Sequence, residues 1–339
     1  MLVAEYAGNG QFRVAERSPS PPGPGEVQIE VAFVGICGTD LHIRHGHMDQ
    51  RVAIPSPIGH EMSGVIAALG EGVTDLKVGE HVTVMPLRWC GACPACSNGN
   101  EHVCQHLVFV GIDSAGAMQQ RWTVDRSIVV PLPQDLSLEV GALAEPLAVA
   151  VHDVRRARIL TGEKVLVVGA GPIGLLVGLV AKSRGAEVKV SEPNEYRRAL
   201  AEKLALSTLN PASTDVHEAI DAWTAGAGVD VGFEVSGSPR GLDTAIQALR
   251  VRGRLVVVAI HSQPVATDLF RLFWRELELI GARVYEREDF EEAVRLLARG
   301  ALPARDLISV VEPITETEAA FDALEAGPGV MKVLIDLRS

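Results

Sequence analysis

Three sets of residues in this chain have the types and spacing to do chemistry. The first runs V-G-I-C-G-T-D-L-H over Val34–His42 and resumes as P-I-G-H-E-M-S-G over Pro57–Gly64. Cys37, His60 and Glu61 offer a thiolate, an imidazole and a carboxylate, all donors that Zn²⁺ accepts. Cys37 and His60 stand 23 residues apart, so only the tertiary fold can close such a site. The second set is Cys90, Cys93, Cys96 and Cys104, on a loop carrying glycine and proline. Four thiolates at these spacings enclose one tetrahedral metal and leave no open position. That describes a structural zinc, whose binding energy is folding energy for the loop. Disulfides compete with this reading and are disfavoured by a reducing compartment. A redox C-x-x-C is disfavoured by four cysteines in one lobe.

The third set is Gly169-Ala170-Gly171-Pro172-Ile173-Gly174, which follows the apolar run Val165–Val168. A G-x-G-x-x-G that leaves a strand and opens a helix, here Leu175–Lys182, is the fingerprint of a dinucleotide site. The glycines allow a tight turn and bring the pyrophosphate to the helix N-terminus, whose free amides favour an anion. Glu192 lies 18 residues after Gly174, where a carboxylate accepts from both ribose hydroxyls and repels a 2′-phosphate. NAD is therefore expected over NADP. Arg197 has two readings, a salt bridge to Glu192 or a stack on the adenine. Val235 and Ala259, in later strand candidates, complete the expected cofactor set.

The elements that must position these groups fall into two patterns. Residues 1–150 are strand-rich and irregular: Val27–Phe33 alternates apolar and polar, and Val65–Leu69, His81–Val84 and Ser127–Val130 are further short candidates. No helix-length amphipathic pattern intrudes there. Beyond Glu145-Pro146, which can open a helix through Arg158, strands alternate with helices. The strand candidates are Lys164–Val168, Glu187–Ser191, Val229–Val235, Arg254–Ile260 and Leu277–Gly281, the signature of a doubly wound parallel sheet. Near the end, Phe290, Val294 and Leu297 share a helical face. Thr315 and Glu318 have capping-box spacing, and Val330–Leu337 reads as a strand.

Composition narrows the function classes. A chain of 339 residues with 47% apolar content is expected to build two packed domains. Its net charge of −12, with no basic run, argues against nucleic-acid or anionic-membrane partners. The N-terminal M-L-V-A-E-Y-A-G-N-G lacks the basic and apolar regions of a signal peptide. Apolar stretches such as Ile173–Ala181 are too short to span a bilayer. Five cysteines, four of them within fifteen residues, read as metal binding in a reducing compartment, so a cytoplasmic location is expected.

Taken together, these motifs resemble the zinc-containing medium-chain alcohol dehydrogenases over nearly the whole chain. The resemblance is carried by Cys37-Gly38-Thr39-Asp40, by G-H-E-x-x-G at Gly59–Gly64 with Gly70 and Val73 beyond, by the four-cysteine lobe, by Glu145-Pro146-Leu147 and by Gly169–Gly174. It is closest to the sorbitol and 2,3-butanediol branch, which carries glutamate where classical members have a third cysteine ligand; Glu145 stands at that position. The resemblance implies a mainly-β, GroES-like catalytic domain over 1–150 with a structural zinc lobe at 88–106. It further implies a Rossmann domain over 151–286 and a return to the catalytic domain over 287–339. It implies two zinc ions per chain and a homodimer or homotetramer.

The implied reaction is NAD-dependent oxidation of a secondary alcohol to a ketone. The catalytic zinc would be held by Cys37 and His60, with Glu61 or Glu145 as third ligand. Thr39 would hydrogen-bond the substrate oxygen. His42 would pass the proton to solvent, or simply be solvated, while His45 and His47, metal ligands by type but with no paired ligand at good spacing, read as surface or cleft-wall residues. Polyol-active relatives carry an aromatic hydroxyl and an arginine where Ile43 and Val284 stand. These two apolar residues point to a small vicinal diol or secondary alcohol, although Arg44, His47 and Arg88 are polar candidates for a longer substrate. Sorbitol-type, sugar-acid (idonate-type) and amino-alcohol (threonine-type) substrates are the alternatives. A non-catalytic NAD sensor would have lost Cys37, Thr39 or His60. A zinc protein of structural or nucleic-acid-binding kind would leave the fingerprint unexplained.

Overall fold

The computed structural model describes residues 1–327 and 329–339. The chain divides into two compact units, Met1–Glu145 with Glu286–Ser339, and Pro146–Tyr285. The first break thus falls inside the helix Ala144–Ala157, ahead of the expected boundary after 150. Only Ala144 and Glu145 of that helix fall in the first unit, and there the Glu145 charge acts on His60 and Lys332.

The first unit is built around one long strand, β1 (Glu26–Gly35). Val27, Ile29 and Val31 are buried on one face, and from Val31 onward every residue of the strand is buried. The strand therefore delivers Ile36 and Cys37 into the interior. A short helix follows directly, α1 (Gly38–Arg44), with Cys37 as its N-cap. The Cys37 amide donates to Asp40 Oδ2 at 2.8 Å, half of a capping box that starts the helix. Seven residues are too few to show a periodic pattern, which is why this helix was not expected.

β1 pairs antiparallel with β2 (Glu61–Leu69), placing Gly35 opposite Glu61. Its other neighbours include the tail strand, which puts Leu334 opposite Gly35. A side chain at Gly35 would overlap the Glu61 carboxylate and come within 3.3 Å of Lys332 Cε. Only glycine lets these three strands close around the site.

Two local expectations are corrected here. Ser127–Val130 is not one strand: Asp125 accepts from the Ser127 amide and winds Arg126–Ile128 into a 3₁₀ turn before a strand at Val129–Pro131. The Thr315/Glu318 capping box does not form. The helix is Thr317–Ala326, and Glu318 instead accepts from the Phe12 amide and from Arg44.

The second unit begins its sheet at β3 (Lys164–Val168), whose valines and leucine are buried between helices. Then come α2 (Pro172–Ser183), β4 (Glu187–Ser191), β5 (Ser207–Leu209), β6 (Val229–Glu234), β7 (Leu249–Val257), α3 (Leu269–Trp274) and β8 (Glu278–Gly281). The sheet order is β5-β4-β3-β6-β7-β8 with every pair parallel. Such a sheet reverses direction of winding beside β3, where ligands of doubly wound proteins sit. The chain then returns to the first unit through the helix Arg287–Ala298, α4 (Thr317–Ala326) and β9 (Lys332–Asp336). Among the described residues no helix is long and apolar enough to cross a membrane.

Candidate active site and metal centres

The ends of β1 and β2 bring Cys37, His60 and Glu61 together. Their ligand atoms lie within 4.8 Å of one another. Zinc bonds of about 2.0–2.3 Å span such a set with small side-chain adjustments. His60 and Glu61 are buried, and Phe109 meets the imidazole edge-on at 5.2 Å. Asp40 Oδ1 faces His60 Nδ1 at 3.7 Å, the placement of a carboxylate that orients a ligand imidazole. Among the described residues neither atom has a hydrogen-bond partner, although both are buried. Burial alone would lower the His60 pKa, yet Asp40, Cys37 and Glu145 raise it well above its ordinary value. A pocket this rich in anionic groups fits a cation.

Of the two carboxylates, only Glu61 falls within the ligand set. Glu145 is buried and acts on His60 through its charge, but stands outside that set. Glu61 is also ion-paired with Lys332, whose Nζ donates to Ile36 O at 3.0 Å. Burial pushes the Lys332 pKa down, and Glu61, Cys37 and Glu145 more than offset it. Lys332 and the orienting role of Asp40 were not anticipated from the sequence. A signal for Lys332 was present: a lysine opens the apolar run Val333–Ile335, where a sheet interior has no place for an unpaired charge.

Thr39 Oγ1 lies 3.9 Å from Cys37 Sγ, beside the metal set. His42 sits one turn further along α1, and its Nδ1 is 3.4 Å from His47 Nδ1. Burial, then His47 and His45, lower its pKa. His45 and His47 are exposed and fall in neither metal-ligand set; His47 meets His42, and His45 Nε2 lies 2.8 Å from Glu325. Arg44 is committed to Glu318, Asp322 and Glu325 and lies 5.8 Å above the Phe321 ring. Ile43 is fully buried in the core, so it cannot serve as a substrate wall. Val284 is partly buried and holds a positive φ of 50°, a costly conformation for a β-branched residue. Arg88 is exposed at the end of a two-residue strand.

The second cluster is compact. Cys93 Sγ lies 3.5 Å from Cys96 Sγ and 3.8 Å from Cys104 Sγ, and Cys104 Sγ lies 3.5 Å from Cys90 Sγ. A tetrahedron with Zn–S bonds of 2.3 Å has edges of about 3.8 Å. All four cysteines are free thiols, too far apart for disulfides. Backbone amides donate into the cluster, Cys90 N to Cys104 Sγ and Cys93 N to Cys90 Sγ at 3.4 Å each, and His106 N to Cys104 Sγ at 3.3 Å. Amides at Cys96 and Gln105 pull the Cys93 thiol down to about 6, while burial and neighbouring sulfurs push Cys96 up to about 12.

In the second unit the glycine loop has the shape a pyrophosphate needs. Gly169 has φ 104°, and a Cβ there would come 3.0 Å from the Ser236 amide. A Cβ on Gly174 would overlap the Gly169 carbonyl, whereas Gly171 faces open space within 4 Å. Pro172 and Ile173 open α2 directly behind it. Glu192 is buried and accepts from the Ala170 amide at 2.7 Å and the Asn194 amide at 2.8 Å. It thereby ties the glycine loop to the end of β4 and keeps lone pairs for a ribose. Arg197 forms no salt bridge to Glu192: among the described residues its buried Nε has no hydrogen-bond partner, so that reading is corrected. Val235 N donates to Val168 O and Ala259 N to Glu234 O, placing both residues at the carboxyl ends of the strands.

Comparison with known proteins agrees with this geometry. Residues 23–134 match the alcohol dehydrogenase GroES-like domain, and residues 172–299 match the zinc-binding dehydrogenase family. The chain is 51% identical to a 2-dehydro-3-deoxy-L-galactonate 5-dehydrogenase of Pseudoalteromonas atlantica, covering 99% of this chain and 98% of that one. It is 34% identical to an (R,R)-butanediol dehydrogenase of Neisseria gonorrhoeae, with 91% of each chain covered. Among solved structures, a zinc-binding dehydrogenase of Sinorhizobium meliloti bound to NADP superposes with a TM-score of 0.92 at 28% identity, covering 99% of both chains. An alcohol dehydrogenase of E. coli complexed with NADH gives 0.93 at 27%, again covering 99% of both.

The chain belongs to the zinc-dependent medium-chain dehydrogenases, oxidoreductases acting on a CH–OH group. Within them it is of the polyol, sugar-acid and butanediol type.

Proposed function

We propose that this protein oxidises the C5 hydroxyl of a 2-keto-3-deoxy sugar acid to a ketone, with NAD as hydride acceptor. The observation that carries this reading is the 51% identity over 99% of the chain to a dehydrogenase of that specificity. One of the two apolar walls expected to favour a small diol is missing, because Ile43 lies in the core. NAD is favoured by Glu192, whose charge at the ribose position opposes a 2′-phosphate. Against it stands Arg197, which is free to meet that phosphate.

Cys37, His60 and Glu61 would hold the catalytic zinc, with Glu145, whose charge reaches His60, as the alternative carboxylate. Bound zinc supplies Lewis acidity toward the alcohol, and bound NAD supplies the hydride acceptor. The chain's own groups handle the proton. The Thr39 hydroxyl accepts it from the alcohol and passes it to His42, three residues on along the same helical face. The lowered pKa of His42 keeps its ring neutral near pH 7 and ready to accept. Asp40 holds the His60 ring in place, and Lys332 balances Glu61.

A homodimer formed by a second copy at the free edge of the Rossmann sheet completes the reading. Among the described residues β8 has no strand beyond it. Beside it α3 exposes Leu269, Phe270, Phe273 and Trp274 by 68–75%, an apolar patch that a monomer would leave in water.

The experiment is a comparison of kcat/KM for 2-keto-3-deoxy-L-galactonate, L-idonate, sorbitol, xylitol and 2,3-butanediol, each with NAD and NADP. The 2-keto-3-deoxy acid with NAD is expected to lead by at least tenfold. A lead for butanediol or sorbitol would reject the sugar-acid assignment.

A further inference from the structure

The second unit contains a buried acid that none of the chemistry above uses. Glu234 closes β6 with no exposed surface. Its Oε1 accepts from the Ser236 amide at 2.8 Å, the Ser236 hydroxyl at 2.6 Å and the Gly237 amide at 2.9 Å. These bonds shape the turn that packs against Gly169, the first glycine of the pyrophosphate loop. Its Oε2 faces His261 Nε2 at 2.9 Å. His261 follows β7, so the pair ties together the carboxyl ends of two neighbouring strands.

The ring has a second nitrogen. His261 Nδ1 is buried and has no hydrogen-bond partner among the described residues. Because Nε2 faces a carboxylate, it carries the hydrogen, and Nδ1 of the neutral ring is an acceptor. A buried acceptor without a donor is disfavoured unless a ligand supplies one.

The sheet order says which part of a ligand that is. Glu192, at the end of β4, takes the adenosine ribose, and the glycine loop at the end of β3 takes the pyrophosphate. A dinucleotide extended across this edge must continue over β6 and β7, on the far side of β3 from β4. His261 stands there. We infer that His261, oriented by Glu234, is a cofactor-binding residue whose Nδ1 accepts a hydrogen bond from the nicotinamide nucleoside, through its carboxamide N–H or a ribose hydroxyl. Glu234 is then a positioning residue that fixes both the tautomer of His261 and the turn under the pyrophosphate. The inference concerns the cofactor alone and holds whichever alcohol is the substrate.

The test measures binding without substrate. Dissociation constants for NADH, ADP-ribose and ADP are determined by fluorescence or calorimetry for the parent, His261→Ala and His261→Gln. Loss of one neutral hydrogen bond should weaken NADH about three- to tenfold in His261→Ala and leave ADP, the adenosine half, unchanged. Glutamine can donate to Glu234 and still present an amide oxygen, so His261→Gln should recover most of the loss. An equal loss for ADP-ribose assigns the contact to the ribose hydroxyls, and an unchanged ADP-ribose affinity assigns it to the carboxamide. NADH affinity unchanged in His261→Ala would overturn the inference. So would NADH and ADP weakening together, which would mean that His261 only holds the turn in shape. Should His261→Ala not fold, His261→Phe, which keeps a ring without nitrogen, is measured in its place with the same expected outcomes.

Discussion

Replacing Lys332 by methionine separates the charge balance of the catalytic site from its packing. The lysine is 3% exposed, its ammonium is ion-paired with Glu61, and it donates to the Ile36 carbonyl at 3.0 Å. Methionine keeps the apolar stem and removes the charge. Glu61, itself 1% exposed, is then left as an uncompensated buried carboxylate beside Cys37. Breaking one side of a buried ion pair costs about 3–5 kcal/mol. In a unit of this size each kcal/mol moves the melting temperature by about 2–4 °C, so the metal-free Lys332→Met protein should melt about 6–20 °C below its parent. Zinc held by Cys37, His60 and Glu61 would replace the missing positive charge. The deficit should therefore shrink to less than half when both proteins are zinc-loaded, and zinc should bind the variant more tightly. Calorimetric melts of chelator-treated and zinc-loaded forms give the four temperatures. The cysteine lobe also loses metal on chelation, but equally in both proteins, so it cancels in the double difference. The same deficit with and without zinc would refute the assignment of Glu61 as a ligand.

Other outcomes follow from the remaining sites. Cys104→Ser should release one zinc per chain, read by elemental analysis, and lower the melting temperature; a variant as stable as its parent would remove the structural-zinc reading. Glu192→Ala should weaken NAD and narrow its advantage over NADP in kcat/KM, because the charge opposing a 2′-phosphate is gone; a parent enzyme that prefers NADP would reverse this reading. Phe273→Asp places a charge in the exposed patch of α3, and light scattering should show a dimeric parent become monomeric. An unchanged mass would exclude that face as the interface.

The parts of this protein legible in the sequence are those whose chemistry needs rare residues at fixed intervals. Four cysteines in a short loop, and three glycines between a strand and a helix, have few other uses; the structure gathers the cysteines and forms the glycine turn as their spacing requires. The strand Lys164–Val168 was readable to the residue because a parallel sheet buries both faces and demands an apolar run, and Glu187–Ser191 because its valines alternate with polar residues. Elements held by tertiary partners were not. The helix α1 rests on a cap and on the buried Ile43, and Glu318 left its local cap for Phe12 and Arg44 across the unit. In both cases a contact distant in sequence outweighed a local preference.

The difference between the two candidate carboxylates of the proposed zinc site was hidden for a related reason. Glu61 and Glu145 have the same donor atoms, and sequence places one beside His60 and the other at the head of a helix. What distinguishes them is geometry set by a residue without chemistry of its own: Gly35, whose missing side chain leaves the space that the Glu61 carboxylate occupies beside Lys332. A carboxylate held by a lysine is already neutralised, so it gives less charge to a metal than a free one would. Glu145 supplies the complementary case, a buried acid whose charge reaches both His60 and Lys332 from outside the ligand set. Lys332, paired with Glu61, thus feels the charge of both carboxylates. On this argument Glu145→Gln should leave zinc bound but slow turnover, whereas Glu61→Gln should weaken zinc itself. Zinc content against kcat for the two variants decides between them. Zinc lost from Glu145→Gln and kept in Glu61→Gln would assign the ligand the other way.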